Sequence, residues 1–183
     1  GNPGSNYTNT RHNIGFKIID AINTHFKLSK QKPKFKGLLT TGNIDSKKIY
    51  AIKPLTFMNN SGTAIKELID YFKIDAKDVF VFHDDLDIDF GKIKVKFGGS
   101  SAGHNGIESI DKFIGTDYSR VRIGIGHPKT KKKVSNHVLE DFKEDEEERI
   151  KEITENIVKL IPTLIDKKID LFSSKVNQSL NGI

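Results

Sequence analysis

Three histidines stand where the chain changes direction, and each has an acid or an amide beside it. His12 lies in "TRHNIGF" next to Asn13, His83 in "FHDDLD" next to Asp84, and His104 in "GGSSAGHNG" next to Asn105. An uncharged imidazole, with an ordinary pKa of roughly 6.5, can take a proton from water near neutral pH. A carboxylate alongside fixes its tautomer and steadies the imidazolium that forms. The primary amides of Asn can donate to a developing oxyanion or to a peptide backbone. Such a set suits ester or amide hydrolysis without a covalent intermediate. Each histidine also has a plainer reading as a solvated surface residue, which is the expectation for His25 and His137.

Other chemistries fit less well. Asp85, Asp87 and Asp89 alternate as in a calcium loop, but Phe90 occupies the sharp-turn position and Lys96 the place of the bidentate glutamate. These aspartates equally fit the role of turn caps, so no metal is expected. Gly98 and Gly103 have the separation of a phosphate-binding loop, yet His104-Asn105 replaces its Lys-Ser/Thr pair. Ser100 stands where a dinucleotide fingerprint has its second glycine. No cofactor is expected. The chain has no cysteine, which removes thiolate nucleophiles, disulfides and Cys-ligated zinc, and which fits a reducing compartment.

These residues need elements to position them. Apolar residues at 14, 18, 19, 22 and 26 follow helical spacing over 13–26. "GLLTTGNI" and "KKIYAIKP" within 37–54 read as two strands joined by a polar turn at Asp45-Ser46. A helix is expected over 63–72, with Ile65, Leu68, Ile69 and Phe72 on one face. "VFVF" at 79–82 is fully apolar, the pattern of a strand buried on both faces, and it ends at His83-Asp84-Asp85. "KIKVKF" at 92–97 alternates, giving a strand with one wet, lysine-bearing face. A helix over 106–113, a strand over 119–126, a basic loop, a long amphipathic helix over 144–165 and a shorter closing helix complete the pattern. The alternation predicts a single α/β domain over 1–183, a three-layer sandwich with a twisted mixed sheet flanked by helices. In such sheets ligands gather at the carboxyl ends of strands, where the polar clusters fall.

The 183 residues are 36% hydrophobic and 30% charged, as in a globular protein. A formal charge of +6 and a pI near 9.3 point to an anionic partner, nucleic acid first. No apolar run approaches a membrane span, and no secretion signal opens the chain.

Five blocks, in order, carry a resemblance: "GNPGSNYTNTRHNIGF", "PLTFMNNSG", "FHDDLDIDFGKIKVKFGG", "GHNGIESI" and "RVRIGIGHP". Together they resemble the bacterial-type peptidyl-tRNA hydrolases across most of residues 1–128. The resemblance implies a monomeric cytoplasmic α/β enzyme acting on peptidyl-tRNA at its acceptor stem and 3′ end. Such an enzyme cleaves the ester between peptide and tRNA and so recycles tRNA for translation. It implies that His12 is the catalytic base and Asp84 its orienting acid. Asn2, Asn59 and Asn105 are then the amides lining the site, with Tyr7, Phe57 and His104 also meeting substrate. Lys94 and Lys96 resemble residues that meet the tRNA backbone, and Arg122 one that helps grip the 5′ phosphate. The loop from Lys129 to Lys133 is expected to add non-specific attraction.

The resemblance also implies an apolar strand leading into "GNPG". The sequence opens at Gly1, so an incomplete N-terminus is the expectation. Ala102 stands where many relatives have glycine. Two other readings are a non-catalytic RNA-binding relative of the same fold and a hydrolase acting on a non-RNA ester.

Overall fold

The computed structural model describes residues 1–128 and 134–181. The basic stretch Lys129 to Lys133 therefore lies outside the described residues. Among the described residues there are six strands: β1 (Lys32–Lys34), β2 (Gly37–Ile44), β3 (Lys47–Pro54), β4 (Phe80–Asp85), β5 (Ile93–Phe97) and β6 (Ser119–Gly124). Six α-helices accompany them: α1 (Ile14–His25), α2 (Ser61–Phe72), α3 (Asn105–Ile114), α4 (Val134–Leu139), α5 (Glu144–Ile165) and α6 (Ile169–Asn181). The short α4 has no counterpart in the sequence reading. No described helix is long and apolar enough to cross a membrane.

The β2–β3 hairpin forms as its turn chemistry dictates. Asp45 and Ser46 both take positive φ, 47° and 49°, between the paired residues Ile44 and Lys47. Two consecutive left-handed residues give the turn whose twist matches that of the flanking strands. β1 adds an antiparallel edge to this hairpin. In the second sheet the order is β4-β6-β5, with β4 parallel and β5 antiparallel to β6.

The mixed sheet flanked by helices is thus present, but strand pairing is divided between two three-stranded sheets rather than continuous. The dividing line falls between β3 and β4. Both line an apolar cavity of about 710 Å³, together with Ile19, Ile65 and Ile161. The cavity also changes the burial of β4. Phe80, Val81 and Phe82 are only half-buried, whereas His83, Asp84 and Asp85 are buried. The apolar run was expected to be buried on both faces; here one side of it borders the cavity.

Helices cover the sheets on both sides. Ile14, Ile18 and Ile22 of α1, Ile153 and Ile157 of α5, and Phe172 and Val176 of α6 pack with Val121 and Ile123 of β6. On the other side Ile65, Leu68 and Ile69 of α2 and Ile110 of α3 pack with Leu39 and Tyr118. Strand β4 feeds both cores, Phe80 and Phe82 into the first and Val81 into the second. One contact matters for the site. Gly15, in the first turn of α1, lies so close to β4 that a methyl group there would collide with the carbonyl oxygen of Phe82. The missing side chain lets α1 rest directly on the strand backbone.

Candidate active site

The carboxyl end of β4 collects the chemistry. His12 is the middle residue of a 3-10 turn, Arg11–Asn13, that runs straight into α1. Because Gly15 seats α1 on Phe82, this turn hangs beside the last residues of β4. His12 Nδ1 lies 2.8 Å from Oδ1 of Asp84, although 72 residues separate them in the chain. His12 is 8% exposed and Asp84 2%.

A second imidazole meets the same oxygen. His104 Nε2 lies 3.0 Å from Asp84 Oδ1. His104 is the N-cap of α3, and its Nδ1 accepts the backbone N–H groups of Gly106 at 3.1 Å and Ile107 at 3.2 Å. A ring nitrogen that accepts hydrogen bonds carries no proton, so the ring proton is on Nε2 and is donated to Asp84. The rings of His12 and His104 are 4.8 Å apart.

Burial alone pushes the Asp84 carboxyl up. The electrostatic pull of His104 and its hydrogen bond, then the bond and pull of His12, more than reverse this and hold it well below the usual carboxylate range. His83 behaves differently. Burial first, then repulsion from His104, lower its pKa to about 3 against the attraction of Asp84. Its Nδ1 is 2.7 Å from the Asp84 carbonyl oxygen, and its Nε2 is buried without a hydrogen-bond partner among the described residues. His83 is therefore a neutral wall of the site.

His12, Asp84 and His104 could in principle hold a metal ion, since one ligand atom of each lies within 4.8 Å of the others. The hydrogen-bond pattern argues against that use. The nitrogen that His104 turns toward Asp84 bears a proton and has no lone pair to offer, while Nδ1 is taken by two amides. The donor set is that of a hydrogen-bonded relay.

The asparagines divide into two kinds. Asn2 is buried and structural as well as polar. Its N–H donates to Asn13 Oδ1 at 2.7 Å, its carbonyl accepts from Asn13 Nδ2 at 2.9 Å, and its Oδ1 accepts from Met58 N–H at 2.8 Å. This ties the opening segment to the His12 turn and to the 3-10 turn Met58–Asn60. Asn59 and Asn105 are exposed, and their side chains make no hydrogen bond among the described residues. Phe57 beside Met58 is 61% exposed, and Tyr7 is half-buried in the turn Ser5–Tyr7.

The basic residues fall on β5 and β6. Lys94 and Lys96 are exposed. Cross-strand pairing places His83, Arg122 and Lys94 in one row and Val81, Arg120 and Lys96 in the next. Arg122 Nε donates to Asp85 Oδ2 at 2.7 Å, which steadies the guanidinium beside the site. Arg120 instead is buried, bonded to Asp111 and the Ser100 carbonyl, and supports the fold.

Three contributors escape a reading of residue types. Asn13 ties down Asn2, and Met58 supplies the N–H that fixes the Asn2 amide. Arg11 is 3% exposed and donates to the Asp141 carbonyl at 2.6 Å and to Glu146 Oε2 at 2.5 Å, pegging the His12 turn to the start of α5. Only their adjacency to His12 and Asn59 in the sequence could have flagged them. The sequence pattern was expected to lack a serine-nucleophile elbow, yet Gly99-Ser100-Ser101-Ala102-Gly103 has its letter spacing. It lies in the 98–104 loop rather than a sharp strand-to-helix turn, and Ser100 Oγ accepts from Ala102 N–H at 3.2 Å. The His104 N–H bonds to the Ser101 carbonyl at 2.9 Å, but no hydrogen bond joins the Ser101 hydroxyl to a histidine ring among the described residues.

Fold and site together define a mixed α/β protein with a carboxylate–imidazole cluster at a strand's carboxyl end. The peptidyl-tRNA hydrolase family model matches residues 1–182. The chain is 72% identical over 177 residues to a peptidyl-tRNA hydrolase of Pelagibacter ubique (strain HTCC1062), covering 97% of this chain and 95% of that one. It is 46% identical to that of Bartonella henselae, covering 100% of this chain and 94% of the relative. The solved structure of peptidyl-tRNA hydrolase from Acinetobacter baumannii superposes with a TM-score of 0.91 at 34% identity, covering 97% of this chain and 91% of that one. The chain belongs to the peptidyl-tRNA hydrolase family, a family of hydrolases.

Proposed function

We propose that this chain hydrolyses the ester between a peptide and the 3′ end of tRNA, with His12 as general base. The observation that carries the reading is the 2.8 Å contact between His12 Nδ1 and the buried Asp84 carboxylate. Asp84 accepts the Nδ1 proton, which leaves the lone pair of His12 on Nε2 for a water molecule. As the water oxygen bonds to the ester carbonyl carbon, Nε2 takes its proton. The electron pair moves onto the carbonyl oxygen, where amide donors such as Asn105 or Asn59 can meet it. When that pair returns, the bond to the ribose oxygen breaks and the imidazolium returns its proton there. The products are a peptide carboxylic acid and free tRNA, with no bond to the protein at any stage. Lys94, Lys96 and Arg122 form the cationic ground on which the tRNA phosphates rest, an attraction that needs no base sequence.

The test is release of peptide from a purified peptidyl-tRNA by the native chain and by His12→Ala. Wild-type turnover with a loss of about a hundredfold or more in the variant is expected, within the range of general base catalysis. A native chain that binds tRNA but releases no peptide would instead be an RNA-binding member of the fold.

A further inference from the structure

Asp84 is held by two imidazoles rather than one, and only His12 can be the base. The second ring, His104, is anchored independently of the reaction. Its Nδ1 is fixed by the Gly106 and Ile107 amides at the start of α3. Its Nε2 then points at the oxygen that His12 also uses. We propose that His104 is a positioning residue for the hydrolysis: as the N-cap of α3 it is locked with its proton on Nε2 and holds Asp84 Oδ1 where His12 Nδ1 meets it. The inference rests on His12 being the base.

Two physical consequences follow from this geometry. First, the carboxylate is oriented by a rigid helix end. Without the His104 bond, only His12 holds Asp84 Oδ1, and no bond from α3 sets the angle of the carboxylate. Second, one oxygen accepts both donors, so each weakens the other's hold on it. His104 thereby keeps the His12–Asp84 bond from tightening, and the imidazole remains free to gain and lose a proton during turnover. The ring is built for both tasks. An Asn at this position would place its Oδ1 where Nδ1 now sits and keep the cap, as Asn does at many helix starts, but would have no atom in the place of Nε2. A Gln would place an N–H near the Nε2 position but lose the δ acceptor.

The experiment compares His104→Asn and His104→Gln with the full native chain. In the native protein, ring ¹⁵N spectra are expected to show a bare Nδ1 and a protonated Nε2 on His104. The Asn variant should keep its melting temperature yet lose about tenfold or more in kcat with KM little changed, the scale seen when a partner that orients a reactive group is removed. The His12 Nδ1 proton should move downfield in that variant, because Asp84 then serves His12 alone; a merely structural role would leave it in place. The Gln variant should lose stability but retain more kcat than the Asn variant. A native His104 protonated on Nδ1, an Asn variant with wild-type kcat, or the reverse ranking of the two variants would overturn the proposal. The spectra of His104 test this arrangement whatever His12 does, whereas turnover persisting in His12→Ala would bring down the base assignment alone.

Discussion

The cluster at the end of β4 and the lysine-bearing face of β5 and β6 lie on neighbouring strands and are built on opposite principles. In the cluster the side chains are short and mostly buried, and Asp84 Oδ1, both ring nitrogens of His104 and Oδ1 of Asn2 each have a partner. On the face, Lys94 and Lys96 are long and exposed. A group that must aim a proton within a fraction of an ångström needs the first arrangement. A surface that must hold a polyanion of varied sequence needs only the second. Arg122 sits between them, half-buried and steadied by Asp85. Changes in the cluster should therefore act on kcat, and changes on the face on affinity and its dependence on salt.

The largest expected effect is at Asp84. Asp84→Asn preserves size but loses the charge and one acceptor, and should lower kcat by about three orders of magnitude or more, as when the acid of a base-orienting pair is replaced by its amide. Single-turnover hydrolysis with KM measured alongside checks it. A loss carried mainly by KM would mean that the cluster binds rather than reacts.

Gly15→Ala sharpens the same point from outside the site. The added methyl meets the Phe82 carbonyl oxygen, which is backbone and cannot step aside. Overpacking of this kind costs about 1–3 kcal/mol. Urea unfolding should register that loss, and kcat should fall with it because α1 carries the His12 turn. A variant as stable and active as the native chain would separate the position of α1 from that of His12.

His83 gives a dependence on pH. In the unfolded chain this ring gains a proton as pH falls through about 6.5, whereas in the folded protein it does so only near pH 3. Between those values the unfolded state binds more protons, so stability falls as pH falls. The slope contributed is at most about 1.4 kcal/mol per pH unit. Urea titrations between pH 6.5 and 4.5 should show this slope, and His83→Gln should flatten it. An unchanged slope would mean that other groups govern acid sensitivity there.

The smallest effects are expected on the basic face. Lys94→Ala or Arg122→Gln should leave hydrolysis at saturating substrate nearly intact. Each should reduce the steepness of log affinity against log salt by about one for each phosphate contact removed. A fall in kcat with an unchanged salt slope would erase the distinction between the two regions.

Much of this was legible in residue order. The hairpin at Asp45-Ser46, the alternation of β5 and the period of α1 and α5 are local patterns, fixed by which residues tolerate a turn or alternate in polarity. The boundary histidines and their acid and amide neighbours were visible for the same reason, as was the family likeness in five blocks. Even the contact of Gly15 with β4 leaves a trace, as a glycine in the first turn of a predicted helix.

What tertiary structure alone decided was which neighbours in space each group acquired. Nothing in the spacing says that two imidazoles share one oxygen, that His83 lies buried and uncharged, or that Arg11 is a peg for α5 rather than a surface cation. The sequence determined the local conformations and the inventory of reactive groups, because turns, caps and periodicities act over a few residues. The pairing of His12 and His104 on one carboxylate was left to the fold, because it depends on donors and an acceptor that meet across 20 to 72 residues of chain.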